Sequence, residues 1–299
     1  MNFKHCLHDK NNSEIFILIK TTLKVKEMER KRVLMIFGFI VFVLSGMFAQ
    51  SVSVSPSRLY FKEPPGGYKS QKIYVTNNGK KPETFQVLFH DFKSEGNKGK
   101  TQVIKEGEYE HGCSKWLTAS PAFFEVAPGQ TQTVEVLLQV PNIPEANNSR
   151  WAVASIKLSK ENTGPQDKGS DVTGMQIIQT FQFLIHIFQT PPSVTFKQAD
   201  VISFKDVSEQ GAEVKTLAME VENSGDAILD CAPYLDVVNL NTGESRRIKG
   251  KGFTILPGGK RVIKFPLPKG LTKGKYNILG VVDYGSDSDL AGAELNIEI

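Results

Sequence analysis

Residues 175–191 read MQIIQTFQFLIHIFQTP. Counted at period two, Met175, Ile177, Gln179, Phe181, Phe183, Ile185 and Ile187 are apolar at every place but one, while the even positions mix Gln, Thr and His with Ile, Leu and Phe. That is the alternation of a β-strand. It extends to about thirteen residues against the usual five or six, longer than a small sandwich needs. Pro191 and Pro192 end it, because proline cannot donate to a strand ladder and forces the residue before it into an extended conformation.

Upstream, Ser159 to Gly174 is polar and turn-rich, and is expected to be a mobile loop feeding this strand. Farther back, short alternating runs recur. Ser51–Phe61 carries Val52, Val54, Leu59 and Phe61 around Pro56, as in an edge strand or a strand that changes sheets. Lys72–Thr76 and Thr84–Phe92 flank Asn77-Asn78-Gly79, a strong local hairpin signal. Thr133–Val140 and Trp151–Leu158 follow. Beyond the prolines a second set runs from Val194 to Ile299, including a hairpin about Asn239–Glu244. Short strands about 8 to 12 residues apart with Pro/Gly turns predict an all-β chain of two immunoglobulin-like sandwiches, spanning 50–191 and 192–299.

Residues 1–49 stand apart. Arg30, Lys31 and Arg32 precede an apolar run from Val33 to Met47, the pattern of a cleaved signal peptide, with residues 1–27 an over-extended start. A retained membrane anchor facing the periplasm is the alternative. This segment holds eight Lys or Arg and four Asp or Glu, leaving 28 of each sign in the remainder. The exported part is therefore near neutral, and neither a nucleic-acid nor a membrane-surface partner follows from the basic total. Cys113 and Cys231 fall in different sandwiches and are read as unpaired thiols.

The sequence has no Walker sequence, no GxGxxG at a strand-to-helix junction, no HExxH and no GxSxG. His90, His111 and His186 share no local spacing. An enzyme is disfavoured; neither cofactor nor metal nor small-molecule substrate is expected. Arg58 is the exception among the polar residues. It stands alone among Ser57, Leu59, Tyr60 and Phe61 in a strand expected to be largely buried, where a guanidinium needs an anionic partner. Arg58 is therefore either a surface arginine after all, a member of an internal ion pair, or a clamp for a carboxylate brought by a ligand.

SPSRLYF, IYVTNNGKKPETFQV, WLTASPAFFEVAPGQTQTVEV, SRWAVASIKL, FLIHIFQTPP, LPGGKRVIKFPLP and YNILGVVDYG occur in this order. Together they resemble the periplasmic pilus-assembly chaperones of the PapD type, in a divergent form. The resemblance implies a periplasmic chaperone that binds pilus or adhesin subunits by lending them a strand, with an outer-membrane assembly protein as a further partner. It implies that Arg58 holds the subunit's terminal carboxylate. His186 stands where that family has a lysine, and a neutral imidazole would weaken the clamp above a pKa of about 6.5. Thr190 replaces the family's arginine before the junction proline, so the interdomain ion pair with the acid matching Asp283 lacks its cation.

Lending a strand would use main-chain hydrogen bonds for direction and Met175, Ile177 and Phe181 as side chains filling pockets in the client. At about 1.5 to 3 kcal/mol each, three such residues contribute roughly 5 to 9 kcal/mol, comparable with an association cost of about 4 to 15. The alternative function is a non-enzymatic cell-envelope scaffold or binding module built on the same two sandwiches.

Overall fold

The computed structural model describes residues 52–159, 181–286 and 289–299. The expected signal segment, the loop 160–174 and the beginning of the long strand, with Met175 and Ile177, lie outside the described residues.

The first set of strands is β1 (Val52–Ser55), β2 (Arg58–Phe61), β3 (Tyr68–Asn77), β4 (Glu83–Glu95), β5 (Lys100–Ile104), β6 (Leu117–Ser120), β7 (Phe123–Val126), β8 (Thr131–Gln139), β9 (Arg150–Ser159) and β10 (Gln182–Gln189). One sheet runs β1-β3-β8-β6; the facing sheet runs β2-β10-β9-β4-β5, with β7 on β4. β1 and β2 thus belong to opposite sheets, with the sheet change at Ser55–Ser57, where Pro56 stands. Alternation builds the core between the sheets: Ile73 and Val75 of β3, Val134, Val136 and Leu138 of β8, and Ile185 and Ile187 of β10 are all buried there.

The second set is β11 (Ala199–Asp206), β12 (Thr216–Asn223), β13 (Leu229–Asn239), β14 (Ser245–Lys249), β15 (Phe253–Ile255), β16 (Lys260–Pro266), β17 (Lys275–Asp283) and β18 (Ala291–Glu298). Its sheets run β11-β12-β16 and β14-β13-β17-β18, with β15 on β13. Leu217, Met219, Val221, Leu235, Val237, Phe265 and Ile278 fill the space between them. The fold is all-β and built of two sandwiches.

The expected Asn77 hairpin does not form. β3 and β4 lie in different sheets, and the turn carries the chain across the sandwich. The reason is the Asn77 side chain, which is fully buried. Its Oδ1 accepts from Gly79 N at 2.8 Å, while its Nδ2 donates to Lys81 O at 2.7 Å and Val126 O at 2.9 Å. An asparagine that satisfies carbonyls of two other segments holds the chain in an Asx turn and cannot act as the corner of a two-residue hairpin. The second sandwich repeats the device at Asn223, whose Oδ1 accepts from Gly225 N and whose Nδ2 donates to Ala227 O and Ile255 O. In both, a positive-φ glycine of a Pro-Gly turn completes the plug: Gly129 N donates to Asn77 O and Gly258 N to Asn223 O. The hairpin expected about Asn239–Glu244 does form, joining β13 to β14.

Candidate functional site

β10 has two different edges. Along its whole length it pairs antiparallel with β9, from Gln182↔Lys157 to Gln189↔Arg150. On the other side it pairs parallel with β2, but only over His186–Gln189. His186 N donates to Ser57 O, so the even residues of β10 point their main-chain groups toward β2. By the same alternation Gln182 and Leu184 point theirs past the end of β2, where no strand pairs with them among the described residues.

The two faces of β10 differ as well. Odd residues Ile185 and Ile187 are buried in the sandwich core, and Phe183 packs partly against it. Phe181 shares that parity at the open end of the strand and is 53% exposed. The even face looks toward the second sandwich, where Phe188 joins Phe92, Trp151, Val153 and Leu256 in a separate apolar cluster.

Residues 52–299 form one compact unit, and the two sandwiches meet across this even face. Ser149 Oγ donates to Asp226 O at 2.6 Å, and Val262 N donates to Asn97 O at 2.8 Å. Between them lies a groove of about 480 Å³ lined by Arg58, Phe92, Thr101, His186, Phe188 and Leu256, among others. Arg58, Lys98, Lys251, Arg261 and Lys264 bring five cations to its wall, and among the described residues no carboxylate lines it. The groove therefore favours an anion.

Arg58 is not largely buried as its sequence setting led one to expect. In β2 the buried residues are Leu59 and Phe61; Arg58 and Tyr60 face outward. Its Nη1 lies 3.7 Å from Asp230 Oδ1 of the second sandwich, with both side chains about half exposed. The Tyr60 hydroxyl is held above the ordinary tyrosine range by burial first and by the neighbouring Asp230 second.

His186 stands opposite Arg58 in the β2–β10 register. Its Nε2 and Thr101 Oγ1 are 2.7 Å apart, and its ring contacts Phe92 edge-on and Phe188 in a stack. Burial, then the charges of Arg58 and Arg261, hold it below the ordinary histidine range. Arg58 and His186 are thus brought together, but at neutral pH and above His186 is a hydrogen-bonding group and not a second charge.

The cation that sequence reasoning missed is Arg261 of β16. Its Nε and Nη2 donate to Thr254 O at 3.2 and 3.0 Å, and Nη1 donates to Lys98 O. Nothing local marks it out in LPGGKRVIKF, where it follows another cation; its role arises only from a contact with the β4–β5 hairpin 163 residues away. Among the described residues no group of three or more His, Cys, Asp or Glu is placed to hold a metal ion.

No family model matches the sequence, and no curated protein matches it. Solved structures similar to the chain include one from a chaperone–tip adhesin complex of CFA/I fimbriae biogenesis, at 10% identity, covering 83% of this chain and 98% of that one, with a TM-score of 0.44. The E. coli chaperone DraB is 16% identical, with 82% and 98% covered and a TM-score of 0.40. A chain of the Salmonella enterica SafA pilin–SafB chaperone complex is 12% identical, with 84% and 99% covered and a TM-score of 0.41.

Proposed function

We propose that the chain is an exported, non-enzymatic chaperone that holds a strand-deficient pilus or adhesin subunit by completing its sandwich with the strand that ends at Gln189. The domain division falls at Pro191-Pro192, the working compartment is the periplasm, and an outer-membrane assembly protein receives the client. The observation that carries the reading is the unequal pairing of β10. Its edge at Gln182–Ile185 extends past β2 with main-chain groups toward an open side, which is the requirement for adding a foreign strand. Phe181, at the same end and exposed, supplies an apolar side chain to the client. Arg58, in the cationic groove at the strand's other end, takes a carboxylate of the client.

The test is co-purification from the cell envelope with and without Phe181→Glu. Burying a carboxylate where an aromatic ring is wanted forfeits about 1.5 to 3 kcal/mol of apolar burial before any charge penalty. Loss of a small β-rich partner with the fold retained supports the reading. An unchanged partner set overturns it and leaves a two-sandwich envelope scaffold.

A further inference from the structure

Thr254, 7% exposed, holds two charged residues at once. Its hydroxyl donates to Asp230 Oδ1 at 2.6 Å, and its carbonyl accepts two hydrogen bonds from Arg261. The same Asp230 oxygen lies 3.7 Å from Arg58. Arg58, Asp230, Thr254 and Arg261 therefore form a continuous chain, of which Arg58, Thr254 and Arg261 line the groove.

The donors of Arg261 can be counted. A guanidinium carries five N–H bonds. One on Nε, one on Nη2 and one on Nη1 are spent on Thr254 O and Lys98 O, leaving one on each terminal nitrogen. The two carbonyls fix the plane of the group, so the free donors are already oriented before any ligand arrives. Gly99, at φ +54°, lies directly against the guanidinium; a Cβ there would collide with it. The hairpin tip thus has the one residue type that admits Arg261 to this position. Burial and the neighbouring Arg58 charge both act against the Arg261 cation. Two like charges brought to one groove wall with a single loose carboxylate beside them are short of negative charge.

We infer that Arg261, not His186, is the second cation of the carboxylate site begun by Arg58, and that Asp230 is a resident counter-ion which an incoming carboxylate displaces from Arg58. The 3.7 Å separation and half-exposed side chains make the Arg58–Asp230 pair weak enough to exchange. After exchange Asp230 keeps its hydrogen bond from Thr254. The inference rests on the proposed client-binding role only for whose carboxylate arrives; the site itself can be probed with acetate.

Arginine Nε–Hε resonances of the full chain, assigned with Arg58→Lys and Arg261→Lys, are followed during an acetate titration with acetamide as the neutral control. The Arg58 and Arg261 signals are expected to move along one saturation curve with acetate and to ignore acetamide. Asp230→Asn tightens acetate binding by about two- to fivefold, the scale of an exposed ion pair removed as competitor. His186→Gln, and a change from pH 7 to pH 8, each leave it within about twofold, since neither touches a charged donor. Movement of Arg58 without Arg261, no saturable movement, no tightening in Asp230→Asn, or weakening in His186→Gln or at pH 8 overturns the inference. If Phe181→Glu loses its partner while only Arg58 answers acetate, the chaperone reading stands and this one falls. If both arginines answer while the partner set is unchanged, the anion site stands and the client reading falls.

Discussion

His186 and Arg58 are register partners in the parallel β10–β2 pair, and burial together with the guanidinium charge holds the imidazole below the ordinary histidine range in the folded chain. The unfolded chain takes up this proton near the ordinary value of 6.5. A group whose folded pKa is depressed contributes stability above its unfolded pKa and loses it as pH falls. His186 therefore destabilises the fold progressively below about pH 6.5, with a slope of at most about 1.4 kcal/mol per pH unit. Denaturant unfolding of His186→Gln against the wild type at pH 8, 6.5 and 5 isolates this slope from His90 and His111. The two chains should differ little at pH 8, and the variant should lose less stability by pH 5. Parallel profiles would show that His186 titrates as it does in the unfolded chain.

Asn77 and Asn223 occupy equivalent places in the two sandwiches, each closing three hydrogen bonds with its buried side chain. Replacement by alanine leaves two carbonyls and an N–H without partners. At roughly 1 kcal/mol per bond, more where a buried group is orphaned, each variant should lose about 2 to 4 kcal/mol. Urea unfolding of Asn77→Ala and Asn223→Ala measures this. A loss below about 1 kcal/mol at either site would mean that water replaces the side chain there.

The same two asparagines mark where sequence reading stops. Alternation identified the strands, because a residue facing the core of a sandwich must be apolar whatever its partner; Val134, Val136 and Leu138 needed no knowledge of what they touch. Pro56 marked either an edge strand or a change of sheet for a similar local reason, and it proves to be the change of sheet. Asn77-Asn78-Gly79 was misread, since the same letters serve a hairpin corner or a side-chain plug, and the choice lies with Val126 O, 49 residues away. Arg58 stood out as a lone cation in an apolar strand. Its exposure and its pairing with Asp230 depend on how the second sandwich meets the first, and Arg261 depends on that meeting entirely.

Cys113 and Cys231 are both buried free thiols. Burial, reinforced by Asp91, raises the Cys113 thiol far above the ordinary range, and burial with Asp230 and Asp283 pushes Cys231 up to about 12. At pH 8 a thiol with such a value is ionised in only about one molecule in ten thousand, and the thiolate is the reactive form. Iodoacetamide at pH 8 should leave both unmodified in the native protein and label both after unfolding in urea, as read by peptide mass mapping. Native labelling of either at the rate of an exposed cysteine would show local opening of its sandwich.

The open side of β10 makes a residue-by-residue prediction for amide exchange. Phe183 and Ile185 direct their N–H groups to β9, and His186 directs its own to Ser57 O. Leu184 lies between them in sequence yet faces the side that β2 does not reach. In the free protein the Leu184 amide should therefore exchange at least about tenfold faster than those of Phe183 and Ile185, because a strand-edge N–H is open to water without unfolding. A client strand added there would reverse the order, protecting Leu184 together with Gln182 and leaving Phe183 and Ile185 as they were. A partner that slowed every β10 amide equally would be stabilising the sandwich as a whole, and one that left Leu184 unchanged would be bound somewhere other than this edge. The pattern at one leucine thus separates strand addition from any other form of binding.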